Sequence, residues 1–302
     1  MKRLALSALL VLFSLSVAGC MSRKPLPPPV VAREPVLALA LGGGGAKGFA
    51  HIGVIKVLES HGIHAKIVTG TSAGSFVGAL YASGKTPFEL QEIALAFEES
   101  DIRDLTVSRQ GFLIGQRLQD YVNQLVGGRS IQQFPLRFAA VATAMDSGRK
   151  TAFNKGNTGQ AVRASCSIPN VFLPTVINDR RYVDGGLVSP VPVVTARDMG
   201  ADLVIAVDIS ARPEAGKTGA LGILDQTLNI MGLQALAREL AQADVVISPR
   251  VASFGVADLE ARHKSMLEGE RAAQAQLAAV RAAIAKFKAS PAALQPAPVA
   301  RL

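Results

Sequence analysis

Lys66-Ile67-Val68-Thr69-Gly70-Thr71-Ser72-Ala73-Gly74-Ser75-Phe76-Val77-Gly78-Ala79-Leu80 passes from a strand-like pattern into a helical one with no loop between. A short β-branched run stops at Gly-x-Ser-x-Gly, and small residues follow at once. This is the pattern of a nucleophile elbow, a tight strand-to-helix turn that lifts one serine, Ser72, clear of the backbone. Gly70 and Gly74 supply room, because a β-carbon at either place would collide where strand and helix close on the turn. A serine so placed stands at a helix N-terminus, where unpaired N–H groups favour developing negative charge. Five residues of pattern also fit an ordinary serine–glycine turn. The elbow gains meaning only from partners elsewhere in the chain.

One candidate partner lies upstream. Val36 to Leu41 reads as an apolar strand and runs into Gly42-Gly43-Gly44-Gly45-Ala46-Lys47-Gly48, with a helical pattern from Phe49 to Glu59. A phosphate-binding P-loop requires a hydroxyl residue after its lysine, and here Gly48 follows Lys47. A dinucleotide fingerprint fits locally as Gly43-x-Gly-x-x-Gly48, but the second strand ends in Thr69-Gly70-Thr71-Ser72 with no acidic residue. Successive glycine N–H groups at a helix start, held open for a tetrahedral oxygen, fit best beside an elbow. The other candidate lies downstream, where Arg180-Arg181-Tyr182-Val183 delivers Asp184 ahead of Gly185 and Gly186. Glycines there let another segment approach closely. Desolvation beside the elbow would raise the proton affinity of Asp184 and suit it as a base. The same aspartate also fits a plain β-turn.

In this order, Gly-Gly-Gly-Ala-Lys-Gly at 43–48, Gly-Thr-Ser-Ala-Gly at 70–74 and Asp-Gly-Gly at 184–186 resemble the patatin-like phospholipase family. The resemblance covers about residues 36–250, including the Ser-Ile-Pro stretch at 167–169. It implies an α/β fold, a three-layer sandwich around a mostly parallel central sheet. It also implies a Ser–Asp dyad without histidine, cleaving acyl esters of lipids through an acyl-enzyme, with no cofactor. Ser72 matches the nucleophile, Asp184 the base, and Gly43, Gly44 and Gly45 the oxyanion loop. Lys47, Gly48, Gly70, Gly74, Gly185 and Gly186 support these motifs. Lys47 departs from the arginine many members carry, which keeps the charge but loses the bidentate fork.

Four histidines require a triad to be weighed. Only His263 follows Asp184, as the order Ser, acid, His demands, and it falls in a charge-studded helical stretch where an exposed position is expected. His51 is expected to pack or cap near the glycine loop, and His61 and His64 flank Gly62 in a turn. Their spacing gives no metal site, and no Asp-rich loop suggests calcium. Cys166 is expected as a small buried residue, and Asp208 as a structural aspartate at a strand end.

The remaining pattern supplies a framework. A helix is expected from Thr86-Pro87 through Phe97, another from Gly115 to Val126, and a helix end at Ala164–Cys166. Strands are expected at Leu136–Thr143, with Arg149–Phe153 beside it, at Leu203–Ile209 and at Asp244–Ser248. Gly219–Ala243 reads as a long helix covering the site, and Ala257–Lys288 as a helix docking through Leu277, Val280, Ile284 and Phe287.

The 302 residues are 49% hydrophobic, with 5% aromatics and no tryptophan, a composition of α/β globular proteins. Met1-Lys2-Arg3 and the apolar run Leu4–Val17 read as a secretory signal, too short to span a bilayer stably. It ends in Leu15-Ser16-Val17-Ala18-Gly19-Cys20, which resembles a bacterial lipoprotein box. That resemblance implies cleavage before Cys20 and its lipidation, which would hold the chain on a membrane surface. The expected order is therefore a signal peptide at 1–19 and a lipidated cysteine with a Pro-rich tether at 20–34. A hydrolase domain at 35–290 and a disordered tail at 291–302 follow. Met21, not an aspartate, follows the cysteine, which points to the outer membrane facing the periplasm in a Gram-negative host. Formal charge is +9, and +7 (30 − 23) once Lys2 and Arg3 are removed. That sign favours anionic surfaces, while the absence of basic–aromatic interleaving argues against nucleic acid. Two functions from different classes fit these residues. One is a membrane-tethered lipid acyl hydrolase of the phospholipase A or lysophospholipase type. The other is a non-hydrolytic envelope protein that binds lipid or scaffolds partners on the same fold.

Overall fold

The computed structural model describes residues 33–106, 108, 110–210 and 219–294. Among them, eight strands form one sheet: β1 (Leu37–Leu41), β2 (Ile67–Thr71), β3 (Arg137–Ala144), β4 (Lys150–Phe153), β5 (Thr175–Ile177), β6 (Arg180–Asp184), β7 (Leu203–Val207) and β8 (Val245–Ile247). The flanking helices are α1 (Phe49–Ser60), α2 (Ala73–Ala82), α3 (Pro87–Ala96), α4 (Gln116–Leu125), α5 (Thr158–Cys166), α6 (Val193–Asp198), α7 (Ala220–Leu240) and α8 (Arg262–Lys288). The expected elements form with ends shifted by a few residues. β5 was not anticipated; its link to β6 is the pair Asn178-Asp179, whose φ values of 48° and 60° suit a tight hairpin.

The sequence of β1, Leu-Ala-Leu-Ala-Leu, explains the layering. Successive side chains of a strand point to opposite faces. Its leucines enter a large core beneath α1, α2 and α8, and its alanines enter a smaller one beneath α6 and α7. β7 repeats the device with Leu203, Ile205 and Val207 on the first face and Val204 and Ala206 on the second. Burial on both faces is what a parallel sheet covered by helices requires, and the result is the three-layer α/β sandwich. β2, β1, β7 and β8 are parallel to their neighbours, as is β3 to β2, while β4 and β6 run antiparallel to β3.

The register on β3 brings the two key segments together. Val141 pairs with Thr71 of β2 and with Ala152 of β4; Ala142 pairs with Thr151 of β4 and with Asp184 of β6. A strand residue has one neighbour on each side, so β2 and β6 lie on the same side of β3, end to end. β6 delivers Asp184 where β2 turns away at Ser72.

Leu277 and Val280 of α8 are buried, and Ile284 and Phe287 pack against the core, as their spacing predicts. Beyond α8, Pro291–Leu294 forms a 3-10 turn in which Ala293 is buried and its carbonyl accepts the Arg33 N–H at 3.0 Å. That segment is therefore folded where a disordered tail was expected to begin, because it closes against the start of the described chain. The expected signal peptide, Cys20 and most of the tether lie outside the described residues, as does 295–302. Among the described residues, no helix is long and apolar enough to cross a membrane.

Candidate active site

Ser72 sits between β2 and α2 with φ 53° and ψ −124°, a region an L-residue avoids unless its surroundings impose it. The surroundings are the glycines. A β-carbon on Gly70 would stand 2.3 Å from the Gly74 carbonyl oxygen, and one on Gly74 would stand 2.1 Å from that of Leu41. Both backbone groups of Ser72 are held by side chains. Its N–H donates to Ser165 Oγ at 2.9 Å, and that hydroxyl donates onward to the Val141 carbonyl at 2.6 Å. Its carbonyl accepts the Ser75 hydroxyl at 2.7 Å. The sequence marks Ser165 only as part of a helix end. Its role shows only once the helix is packed against β3, where its hydroxyl bridges Ser72 and Val141.

Asp184 is buried, 6% exposed, with its carboxylate turned toward the elbow. Oδ1 accepts the Gly186 N–H at 2.7 Å, and Oδ2 makes no hydrogen bond of full geometry. Burial pushes its pKa up to about 6, opposed by the nearby Ser72 hydroxyl and the Gly186 N–H. A β-carbon on Gly185 would stand 2.2 Å from the Val141 oxygen, so only glycine lets β6 close on β3 here.

Ser72 and Asp184 share the wall of a cavity of about 490 Å³ lined mainly by apolar groups. Ala73, Phe76, Val77 and Leu80 of α2 form one stripe along it, at helical spacing. Phe49, Phe76 and Phe97 continue the wall, and Gly232, Leu233 and Leu236 of α7 cover the opposite side. α7 thus covers the site as its position suggested. Its C-terminal end is fixed by Glu239, a buried carboxylate that accepts the Ser189 hydroxyl and the Val194 N–H at 2.7 Å.

The glycine loop lines the same cavity through Gly43, Gly44 and Gly45. Gly43 differs from expectation, since its N–H donates to the Pro190 carbonyl at 3.0 Å and is occupied. Ala46 N–H is also taken, by the Val256 carbonyl at 2.8 Å, whereas Gly44 and Gly45 donate to no backbone carbonyl among the loop contacts. Lys47 is buried in the 3-10 turn that follows, and Gly48 packs so closely on Ala73 that a β-carbon would stand 2.7 Å from it. The segment 189–192 gathers these parts. Besides Gly43, it accepts the hydroxyls of Thr71 and Thr69 through the carbonyls of Ser189 and Pro192, at 2.7 and 2.8 Å. Nothing in its sequence, Ser-Pro-Val-Pro, advertises that role.

No histidine lines the cavity among the described residues. His263 is exposed at the start of α8, and His61 and His64 are exposed at the turn after α1. His51 is fully buried, and burial pushes its pKa down to about 4. Cys166 faces the cavity beside Ser75, its thiol pushed up to about 12 by burial and then by the Asp184 charge, which makes it unreactive. Asp208 is buried at the end of β7 and accepts the Ser210 N–H at 3.0 Å, in keeping with a structural role.

The fold and the motifs have counterparts in known proteins. VipD from Legionella pneumophila superposes with a TM-score of 0.57 at 12% identity, covering 87% of this chain and 72% of that one, a likeness of fold alone. An uncharacterized NTE family protein of Mycobacterium tuberculosis is 36% identical over 199 residues, 63% of this chain and 55% of that protein. Patatin-like phospholipase domain-containing protein 6 of Homo sapiens is 32% identical over 187 residues, 59% of this chain and 14% of that protein. The chain thus spans about half the length, or less, of these curated relatives. Residues 39–197, which hold the glycine loop, the elbow and the Asp-Gly-Gly turn, match the patatin-like phospholipase model, and the chain belongs to that family.

Proposed function

We propose that this chain is a serine hydrolase that cleaves acyl ester bonds of lipids through a Ser72–Asp184 dyad. One observation carries this: a serine in a strained turn and a carboxylate oxygen without a partner share the wall of one apolar cavity. Ser72 Oγ attacks the ester carbonyl carbon as its proton passes to Asp184 Oδ2. The developing oxyanion takes the N–H groups of Gly44 and Gly45, donors of a kind worth about 10²–10³ in rate. Collapse breaks the ester C–O bond, and the leaving alkoxide recovers the proton from Asp184. Water then attacks the acyl-serine by the reverse relay and releases the fatty acid. The apolar cavity suits the acyl chain. In the same proposal, lipidated Cys20 holds the enzyme on the outer membrane facing the periplasm of a Gram-negative host, beside its substrate. That part rests on the sequence from Met1 to Met21.

The test pairs a fluorophosphonate probe with a panel of phospholipids, lysophospholipids and short acyl esters. Wild type should be labelled and active, and Ser72→Ala should lose the label and at least about 10³-fold in turnover. Label that persists in Ser72→Ala, or no turnover of any ester by wild type, overturns the proposal and favours a lipid-binding or scaffold role.

A further inference from the structure

An oxyanion hole must be formed before the reaction, since donors that reorganise during the step lose their advantage. A run of four glycines is poorly suited to this, because glycine visits more backbone conformations than any other residue. Something outside the run has to fix it. The peptide joining Gly42 to Gly43 is held at both ends. Its N–H, on Gly43, donates to the Pro190 carbonyl at 3.0 Å, and its C=O, on Gly42, lies 2.8 Å from His51 Nε2. A carbonyl oxygen only accepts, so Nε2 carries the imidazole proton and donates it. The next two peptides along the chain present the Gly44 and Gly45 N–H groups.

We propose that His51, as a neutral imidazole protonated on Nε2, is the positioning residue that fixes the oxyanion loop. This rests on the hydrolase reading of the loop. Two further features support it. His51 is fully buried, yet its Nδ1 has no hydrogen-bond partner, a desolvation cost that an aliphatic side chain would avoid. The residue also rides on a clamped platform. α1 crosses α8 so closely that a β-carbon on Gly269 would stand 2.0 Å from the Ala50 oxygen, and one on Gly53 the same distance from that of Met266. The imidazole therefore transmits a rigid helix position to a flexible loop.

The test compares His51→Leu, which keeps bulk but no donor, with His51→Gln, whose amide nitrogen falls near the place of Nε2. With a soluble acyl ester, His51→Leu should lower kcat at least about tenfold with KM within about twofold, and His51→Gln should restore most of it. The rate of fluorophosphonate labelling at Ser72 should follow kcat, because the phosphonyl oxygen takes the same N–H groups. Equal activity in wild type and His51→Leu, or equal impairment of both variants, overturns the proposal. Should His51→Leu fail to fold, nitrogen NMR of the wild-type full chain reads the tautomer directly. A neutral ring protonated on Nε2 at pH 6 supports the assignment, and one protonated on Nδ1 overturns it. A wild type with neither label nor turnover fails the hydrolase reading itself. An active wild type indifferent to His51 fails only this inference.

Discussion

At the scale of single residues, Asp184 is held in the state least suited to stability. Its folded pKa of about 6 lies above the ordinary 3.8, so the folded chain binds the proton more tightly than the unfolded one. The sign follows: below about pH 4 both states are protonated and nothing is lost; from about 4 to 6 the unfolded chain ionises while the folded one keeps its proton, so stability falls, and the loss is complete once pH has risen through 6. The displacement corresponds to about 2–3 kcal/mol at pH 8. Asp184→Asn, whose amide oxygen can still accept from Gly186, should therefore be more stable than wild type at pH 8 by up to about that amount. The gain should vanish below pH 4, as read by urea unfolding at both pH values; an equal or lower midpoint at pH 8 would contradict it. Turnover should be lost, and wild-type turnover should fall as pH drops through about 6. The elbow, the glycine loop and the Asp-Gly-Gly turn were legible because turns so tight admit few residue types. Ser165 and the occupation of Gly43 by Pro190 were not, since each depends on which groups tertiary packing brings together, whereas His51 was expected to pack or cap near the glycine loop and does so at the Gly42 carbonyl.

At the scale of elements, the strands and helices were largely legible, because period-2 and period-3.6 burial leaves its mark on sequence. The box Thr86-x-x-Glu89 that starts α3 forms both of its reciprocal bonds. What sequence concealed was the crossing of α1 and α8. Gly53 and Gly269 look like weak points within helices, each less favourable than alanine by about 1 kcal/mol. Their reason lies in a partner helix more than 200 residues away in the chain, where backbone meets backbone with no space for a methyl group. Gly269→Ala, which improves intrinsic helix propensity, should nonetheless destabilise the protein by about 2–3 kcal/mol. It should also depress kcat, because α1 carries His51. An unchanged urea midpoint would show that the two helices can separate freely.

At the scale of the whole molecule, the site and the start of the described chain lie at opposite ends of the sheet. Ser72 follows the C-terminal end of β2, the usual place for a site in a parallel sheet. Arg33 pairs with Asp202 at 2.5 and 2.8 Å, and Asp202 immediately precedes the first residue of β7. If Cys20 is lipidated as proposed, residues 20–32 are what joins it to that far end, and at the polyproline II rise of about 3.1 Å per residue they would reach about 40 Å. A folded body of this length is about 45–50 Å across. Under that proposal the anchor would restrain the cavity from turning flat onto the leaflet that holds it, and tether length would limit lipid turnover but not catalysis. Cys20→Ala should release the protein from membranes, and recovery of that variant in the membrane pellet would remove the anchor from the picture. With the anchor in place, inserting ten Pro/Ser residues after Pro29 should raise hydrolysis of lipids in the anchoring membrane several-fold. Deleting 25–30 should lower it, and a soluble ester should be cleaved at the same rate throughout. Lipid turnover indifferent to tether length would mean that the cavity draws its substrate from elsewhere than the anchoring leaflet.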